Sequence, residues 1–369
     1  MKLSVRFKQN LDWFLKQKIP REFDRKVFSK ELRSLIIAVT WRCNSRCITC
    51  HLWKTPSSVE KQEMSVKEIK KMINSKYFKH VRLIRFTGGE PTLRKDFLDI
   101  IKVVHRALPN AVIRFSTNCT QQKNLEKIMR FVKNKKIPHL IAFPLNGREK
   151  IHDFSRGVKG SYQLTIQTIK KCIELGIRFS IDFTLYPFNY GELIPVYNMA
   201  EKLKTQFGLG IGRPGKRYLL TCFKRFQWKR ENMEKAAREL RKLIKLNPIY
   251  IPHYIVFVQA MKSSKLFDCY NLLKDLAIDP YGNVYSCDKF SEMLKLGNLR
   301  EYQLDFNKLV EENQEHIRNI WKIIRERKCQ PCGVFCELVR HKYRQLPLGT
   351  KMYINLYRVK EYVRRFPKI

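Results

Sequence analysis

Cys43, Cys47 and Cys50 put three thiols into eight residues of the stretch TWRCNSRCITCHLWK, residues 40–54. Three thiolates can converge on one metal centre, but a structural zinc almost always takes four protein ligands, and His51, adjacent to Cys50, is poorly placed to chelate with it. A cubane iron–sulfur cluster suits three cysteines better, because each thiolate binds a different iron and the fourth iron stays open to an exogenous ligand. A second group lies far downstream: Cys269 and Cys287 bracket the stretch DLAIDPYGNVYSC, and Cys329, Cys332 and Cys336 form the knuckle CQPCGVFC. Its Cys-x2-Cys pair suits zinc as well as an iron–sulfur cluster.

The elements that must hold these residues alternate. Short β-rich runs, LIIAVT (35–40), VRLIRFT (81–87), AVIRFSTN (111–118), HLIAFPLN (139–146), RFSIDFTLY (178–186) and FGLGIG (207–212), are separated by segments with apolar residues at three- and four-residue spacing. Six β-α units in order predict a parallel sheet, either doubly wound or an incomplete barrel. The cysteine loop follows the first run, TGGEPT (87–92) the second, STN (116–118) closes the third and Asn146 the fourth. All four fall at the carboxyl ends of strands, where α/β folds gather their ligands. Beyond residue 246 the alternation stops; 275–287 reads as a hairpin turned at DPYGN, followed by a helix around 305–327.

Composition narrows the class. The 369 residues are 44% hydrophobic, 12% aromatic and 29% charged, enough for packed interiors and for more than one domain. No apolar run reaches the roughly 18 residues that span a bilayer, and MKLSVRFKQNLDWFLKQK lacks the apolar core of a secretory signal, which predicts a cytoplasmic protein. There thiols stay reduced, so the 11 cysteines are not read as a disulfide framework. Seventy-four Lys and Arg against 33 acids leave a formal +41, a field that attracts anionic partners. The excess is spread along the chain without interleaved aromatic platforms, so nucleic acid is the less expected partner. Leu3, Phe7, Leu11, Phe14 and Leu15 share one helical face among basic residues, a pattern that fits either an anionic membrane surface or docking onto the barrel.

Taken together, the Cx3Cx2C loop after strand one and GGEP at 88–91 after strand two resemble the radical S-adenosylmethionine (SAM) superfamily. The resemblance implies a partial (β/α)6 TIM-like barrel with a small C-terminal α+β cluster-binding domain, and a [4Fe-4S] cluster on Cys43, Cys47 and Cys50 whose open iron is chelated by SAM. Gly88, Gly89 and Glu90 then match the loop that receives the SAM amino group; glycine permits such close approach because it has no Cβ. Ser116 and Asn118 match strand-end residues that contact SAM, and Arg156, in LNGREKIHDFSRGVKGSY (145–162), matches an arginine that holds its carboxylate. Thr49, Cys119, Pro144 and Asn146 depart from the family's usual residues at their positions. The C-terminal cysteines resemble the SPASM/twitch extension and imply one auxiliary [4Fe-4S] cluster on Cys269, Cys287, Cys329 and Cys332, with Cys336 able to replace one of them. Asp288 matches an aspartate that accepts a proton in related enzymes, against the alternative of a turn residue.

On that basis the chain divides into a basic amphipathic extension (1–34), the barrel (35–246), the cluster domain (247–345) and a basic tail (346–369). The implied activity is reductive cleavage of SAM to a 5′-deoxyadenosyl radical that abstracts hydrogen from a peptide, an amino sugar or alcohol, or an anionic lipid-linked molecule. A flavodoxin or ferredoxin would supply the electron, and peripheral contact with the inner membrane face is compatible with the N-terminal helix. Two other classes fit parts of the pattern: a zinc protein that binds nucleic acid, and an iron–sulfur electron carrier.

Overall fold

The computed structural model describes Phe28, Lys30, 32–212, 215–217, 220–222, 228–260, Leu272, 274–288, 290–326, Thr350 and Ile354. The predicted N-terminal amphipathic face, Cys269, Cys329, Cys332, Cys336 and the basic tail, Thr350 and Ile354 aside, lie outside these residues.

Six parallel strands carry the first part: β1 (Ser34–Thr40), β2 (Leu83–Gly88), β3 (Val112–Ser116), β4 (His139–Pro144), β5 (Phe179–Leu185) and β6 (Gln206–Ile211), paired in chain order. Each lies within a residue or two of its predicted run. Helices α1 (Val66–Met72), α2 (Phe97–Ala107), α3 (Gln122–Asn134), α4 (Glu149–Arg156), α5 (Ser161–Leu175) and α6 (Leu193–Lys202) connect them. On β2 to β6 alternate residues, such as Ile84, Phe86, Ile113, Phe115, Ile181 and Leu209, are buried in the main apolar core with residues of these helices. Every residue of β1 is buried, because its second face is covered as well: Ile36 and Ala38 pack with Trp41, Leu52, Ala277, Tyr285 and Phe290 in a separate apolar cluster.

That second cluster brings in the hairpin. A small ribbon, β7 (Gly215–Arg217) and β8 (Leu220–Cys222), follows the barrel, then helices α7 (Arg230–Leu246) and α8 (Ile251–Ala260). The predicted hairpin is present as β9 (Asp275–Ile278) and β10 (Asn283–Tyr285), and β11 (Lys295–Asn298) pairs with β10. It does not form a sheet of its own. β9 pairs parallel with β1, from Ser34 with Asp275 to Ile37 with Ile278, so one open nine-stranded sheet runs β11-β10-β9-β1-β2-β3-β4-β5-β6. The pairing gives partners to the β1 edge, whose N–H and C=O groups would otherwise face outward. The helix expected over 305–327 is two, α9 (Phe306–Glu312) and α10 (Gln314–Arg325), parted at Asn313, whose side chain donates to the Leu296 carbonyl and the Tyr302 hydroxyl. No described helix is long and apolar enough to cross a membrane.

Candidate functional site

At the C-terminal end of β1 the chain must turn out of the sheet without leaving its backbone unpaired. Thr40 breaks the β1–β2 register, and its hydroxyl donates to Glu63 while accepting from the Arg42 N–H at 3.1 Å. Arg42 closes the turn with Glu63 at 3.3 Å and Glu60 at 3.0 Å. Arg94, almost wholly buried, donates to the carbonyls of Val39 and Met64, each at 3.0 Å, and forks onto Asp96. These groups fix where the cysteine loop begins.

Gly88 and Gly89 lie against that beginning. The Gly89 N–H donates to the Thr40 carbonyl at 2.8 Å and the Glu90 N–H to the Arg42 carbonyl at 2.9 Å. A Cβ on Gly88 would stand 2.0 Å from the Thr40 oxygen, and one on Gly89 2.1 Å from the Arg42 oxygen. The glycines are therefore required by the cysteine loop's own backbone. Glu90 turns inward: its carboxylate accepts from Thr92 N–H at 3.1 Å, Thr92 Oγ1 at 2.6 Å, Thr117 Oγ1 at 2.9 Å and Asn118 N–H at 2.6 Å. Burial nevertheless holds that carboxyl above the usual carboxylate range. Glu90 thus ties the end of β2 to the end of β3.

From the end of β3, Asn118 reaches the loop directly, donating to Asn44 Oδ1 and Ser45 Oγ, both at 2.8 Å, and Asn44 donates to Thr120 Oγ1 at 2.8 Å. The fourth support is the C-terminus of α4, whose last carbonyls are free to accept. Arg46 N–H donates to the Arg156 carbonyl at 2.9 Å and Ile48 N–H to the Ser155 carbonyl at 3.1 Å. Gly157 ends the helix left-handed at φ +61°, where a Cβ would lie 2.3 Å from the Arg46 oxygen. The Arg156 guanidinium donates to the Pro144 carbonyl at 2.5 Å and sits 3.6 Å from Cys47 Sγ.

Inside this cradle Cys43, Cys47 and Cys50 are half-buried, whereas Cys119, Cys172 and Cys287 are buried. Burial, reinforced by Glu90 and the other two thiols, pushes Cys43 up to about 12, so it holds its proton until a cation displaces it. Three half-buried thiols on one loop, with the Arg156 guanidinium 3.6 Å from one of them, are donors of the kind a [4Fe-4S] cubane takes, one thiolate to each of three irons. The residues present fit the group.

Of the other predicted residues, Ser116 stands half-exposed on the barrel's concave side, its register partner Ala142 on β4. Cys287 lies two residues past β10, and its sulfur is 3.8 Å from Asp288 Oδ1. Because β10 runs antiparallel to β9, with Tyr285 opposite Ala277, Cys287 lies toward the level of Ser34. Six residues of β1 separate that level from Thr40, about 20 Å at about 3.3 Å per residue. Glu63, Arg42, Arg94 and Asn44 carried no spacing signal in the sequence. Only the fold brings them to the loop.

His152, in the middle of α4, supports the clamp from beneath. Its Nδ1 accepts the Asn146 N–H at 3.3 Å and its Nε2 lies 3.3 Å from Ser161 Oγ. Burial pushes it down to about 2. Folded, it stays neutral; unfolded, it takes a proton below its ordinary value, so its contribution is complete above about pH 6.5 and falls as pH drops. The expected loss is about 1.4 kcal/mol per pH unit below about 6.5. Urea midpoints between pH 5 and 7.5 should show this slope in the wild type and a flatter one in His152→Gln.

Comparison with known proteins agrees with this geometry. The Radical SAM superfamily model matches residues 37–200, and the SPASM iron–sulfur cluster-binding domain model matches 269–333. Fe-coproporphyrin III synthase of Methanosarcina barkeri is 28% identical over 179 residues, 48% of this chain and 43% of that protein. The antilisterial bacteriocin subtilosin biosynthesis protein AlbA of Bacillus subtilis is 24% identical over 275 residues, 73% of this chain and 58% of AlbA. The chain thus spans about half the length of these relatives. Among solved structures, anSMEcpe with bound AdoMet superposes with TM-score 0.58 at 19% identity, covering 91% of this chain and 97% of that one. SuiB of Streptococcus suis bound to the precursor peptide SuiA gives 0.56 at 14% identity, covering 82% and 77%. At these identities the two structures establish the fold, a partial barrel. The chain carries a radical SAM domain over residues 37–200, followed over 269–333 by an iron–sulfur cluster-binding domain of the SPASM type.

Proposed function

We propose that this chain is an enzyme that removes hydrogen from an acidic peptide. Its family's cofactors are SAM and [4Fe-4S] clusters, which when bound supply one-electron cleavage of the sulfonium and hence a carbon radical able to take hydrogen from an unactivated carbon. The observation that carries the reading is the half-buried trio Cys43, Cys47 and Cys50, gripped at the strand ends by Gly88, Gly89, Asn118 and the end of α4. In this reading the three thiolates hold the cluster and Arg156 steadies the Cys47 thiolate. The face formed by Gly88, Gly89, Ser116 and Asn118 receives SAM.

The domain over 247–345 would hold one auxiliary cluster on Cys269, Cys287, Cys329 and Cys332, with Cys336 in reserve, and would accept the electron left on the substrate. Asp288, beside Cys287, would take the proton. Peptide as substrate is supported by SuiB, whose structure contains a precursor peptide, and by AlbA, a bacteriocin biosynthesis protein. The formal +41 favours acidic peptides and an acidic electron donor of the flavodoxin or ferredoxin kind.

Full-length protein reconstituted anaerobically with iron and sulfide is expected to convert SAM to 5′-deoxyadenosine with dithionite, and faster with a Glu-rich peptide than with its Gln counterpart. A chain that retains zinc without iron, or that binds iron yet makes no deoxyadenosine, would refute the enzyme; equal rates with the two peptides would refute the acidic preference.

A further inference from the structure

The concave face of the sheet carries charge where a closed barrel packs branched apolar side chains. Arg85 on β2 and Arg114 on β3 are direct register partners. Their neighbours Ile84, Phe86, Ile113 and Phe115 are buried in the core with the helices, so by strand alternation both arginines stand on the other side. Across β4, Asp182 of β5 accepts from Arg114 Nη2, and Ser180 Oγ holds its second oxygen at 2.9 Å. Arg114 and Asp182 are 30% and 28% exposed, so the pair is open to the bore. Among the described residues Asp182 is Arg114's hydrogen-bond partner, and through one nitrogen only.

On β6 the register partners of Asp182 and Thr184 are Gly208 and Gly210. A Cβ at Gly208 would stand 2.6 Å from Asp182 Oδ1, so that wall must stay bare for the carboxylate to sit there. The Arg114–Asp182 pair thus sits beside a wall without side chains, with Arg85 next to it on β2. Ser116 is two residues further along the same face of β3, about 6.6 Å toward the mouth. An anion held at Arg114 is therefore one side chain's length from the strand ends that carry the cysteine loop.

We infer that Arg114, oriented by Asp182 and flanked by Arg85, is the receptor for a carboxylate of the substrate, an inference that rests on the peptide reading above. The planar guanidinium fork matches a carboxylate through two parallel N–H donors, and Asp182 occupies one edge so that another faces the bore. Residues Arg114 and Asp182 would thereby select peptides that present Asp, Glu or a C-terminus to the barrel.

Glutarate and its neutral isostere glutaramide test this by ligand-observed NMR on the reconstituted full chain. Glutarate should bind with glutaramide at least tenfold weaker, and Arg114→Gln should weaken glutarate about tenfold or more. Arg114→Lys, which keeps the charge and the partner carboxylate, should weaken it severalfold through loss of the fork. Other basic residues take glutarate equally in all variants, so the difference between variants is the readout. Equal binding of the two probes, or unchanged glutarate binding in Arg114→Gln, overturns the inference. Should Arg114→Gln not fold, unchanged binding in both Arg114→Lys and Arg85→Gln overturns it instead. Wild-type protein that makes no deoxyadenosine sinks the enzymatic reading, whereas unaltered glutarate binding in a chain that makes it sinks this inference alone.

Discussion

Changing Cys47 to alanine is expected to remove one cubane, about four irons per chain, and to lower deoxyadenosine formation by roughly a thousandfold or more, at least about 4 kcal/mol of transition-state stabilisation. The same should hold for Cys43→Ala and Cys50→Ala. In the proposed reading the three thiolates would hold the cluster together, and the two that remain would not retain it. The apo-protein should melt within about 1 kcal/mol of wild type for Cys47→Ala, because the loop is held by backbone groups that alanine retains: Arg46 and Ile48 N–H on α4, and Cys50 N–H on the Cys47 carbonyl at 3.1 Å. Cys50→Ala should cost somewhat more, since Cys50 also packs against the Trp41–Phe290 cluster. Cys172→Ala is the control with the opposite signature. Cys172 is fully buried on α5 with its sulfur 4.0 Å from Met129 Sδ, so its loss should leave iron and activity intact and lower stability by about 1–2 kcal/mol. Iron and sulfide content, deoxyadenosine yield and a urea transition on each variant separate the two patterns.

The contrast also marks what could be read before the fold was known. The six strands were legible because each is a short β-branched or aromatic run whose helix-facing residues, such as Ile113 and Phe115, recur every second position. The cysteine trio was legible because its spacing is local. Unreadable were the contacts that depend on partners brought together only by the sheet. Glu63 is 23 residues from Thr40 yet accepts the hydrogen bond of its hydroxyl, and nothing in the intervening sequence marks it as the anchor of the loop. The stretch 145–162 resembles a cofactor motif in its residue types alone; that residues 149–156 form a helix whose last carbonyls clamp Arg46 and Ile48 follows only from the position of its end beside the loop. Likewise β9 reads as a hairpin strand from its turn, but parallel pairing with β1 joins residues some 240 positions apart in the chain, beyond any local pattern. Cys119 shows the same limit from the other side. It adopts φ +65°, a left-handed turn that suits glycine, and its fully buried side chain sits in the main core in compensation.

Gly89→Ala is expected to be among the most damaging single-methyl additions in the barrel. Its Cβ would lie 2.1 Å from the Arg42 oxygen and 2.5 Å from the Arg42 carbon, both backbone atoms. That carbonyl cannot swing aside cheaply, because it accepts from the Glu90 N–H while Arg42's side chain is tied to Glu60 and Glu63. Either the cysteine loop moves outward by about 1 Å or the β1–β2 junction opens, at a cost of about 3–5 kcal/mol. Gly88→Ala adds backbone strain at φ +131° to a 2.0 Å approach on the Thr40 oxygen, and should be at least as severe. Gly176→Ala sets the scale for strain alone: φ is +65° but nothing lies within 4 Å of the added carbon, so about 1 kcal/mol and full iron content are expected. The decisive measurement is urea denaturation of the iron-free proteins. If the Gly–Gly pair served only the approach of a cofactor, apo Gly89→Ala would melt like wild type and lose SAM binding alone. If, as the contacts require, it serves first to seat the cysteine loop, the apo-protein is destabilised before any cofactor is present, and cluster loss follows from misplaced thiols.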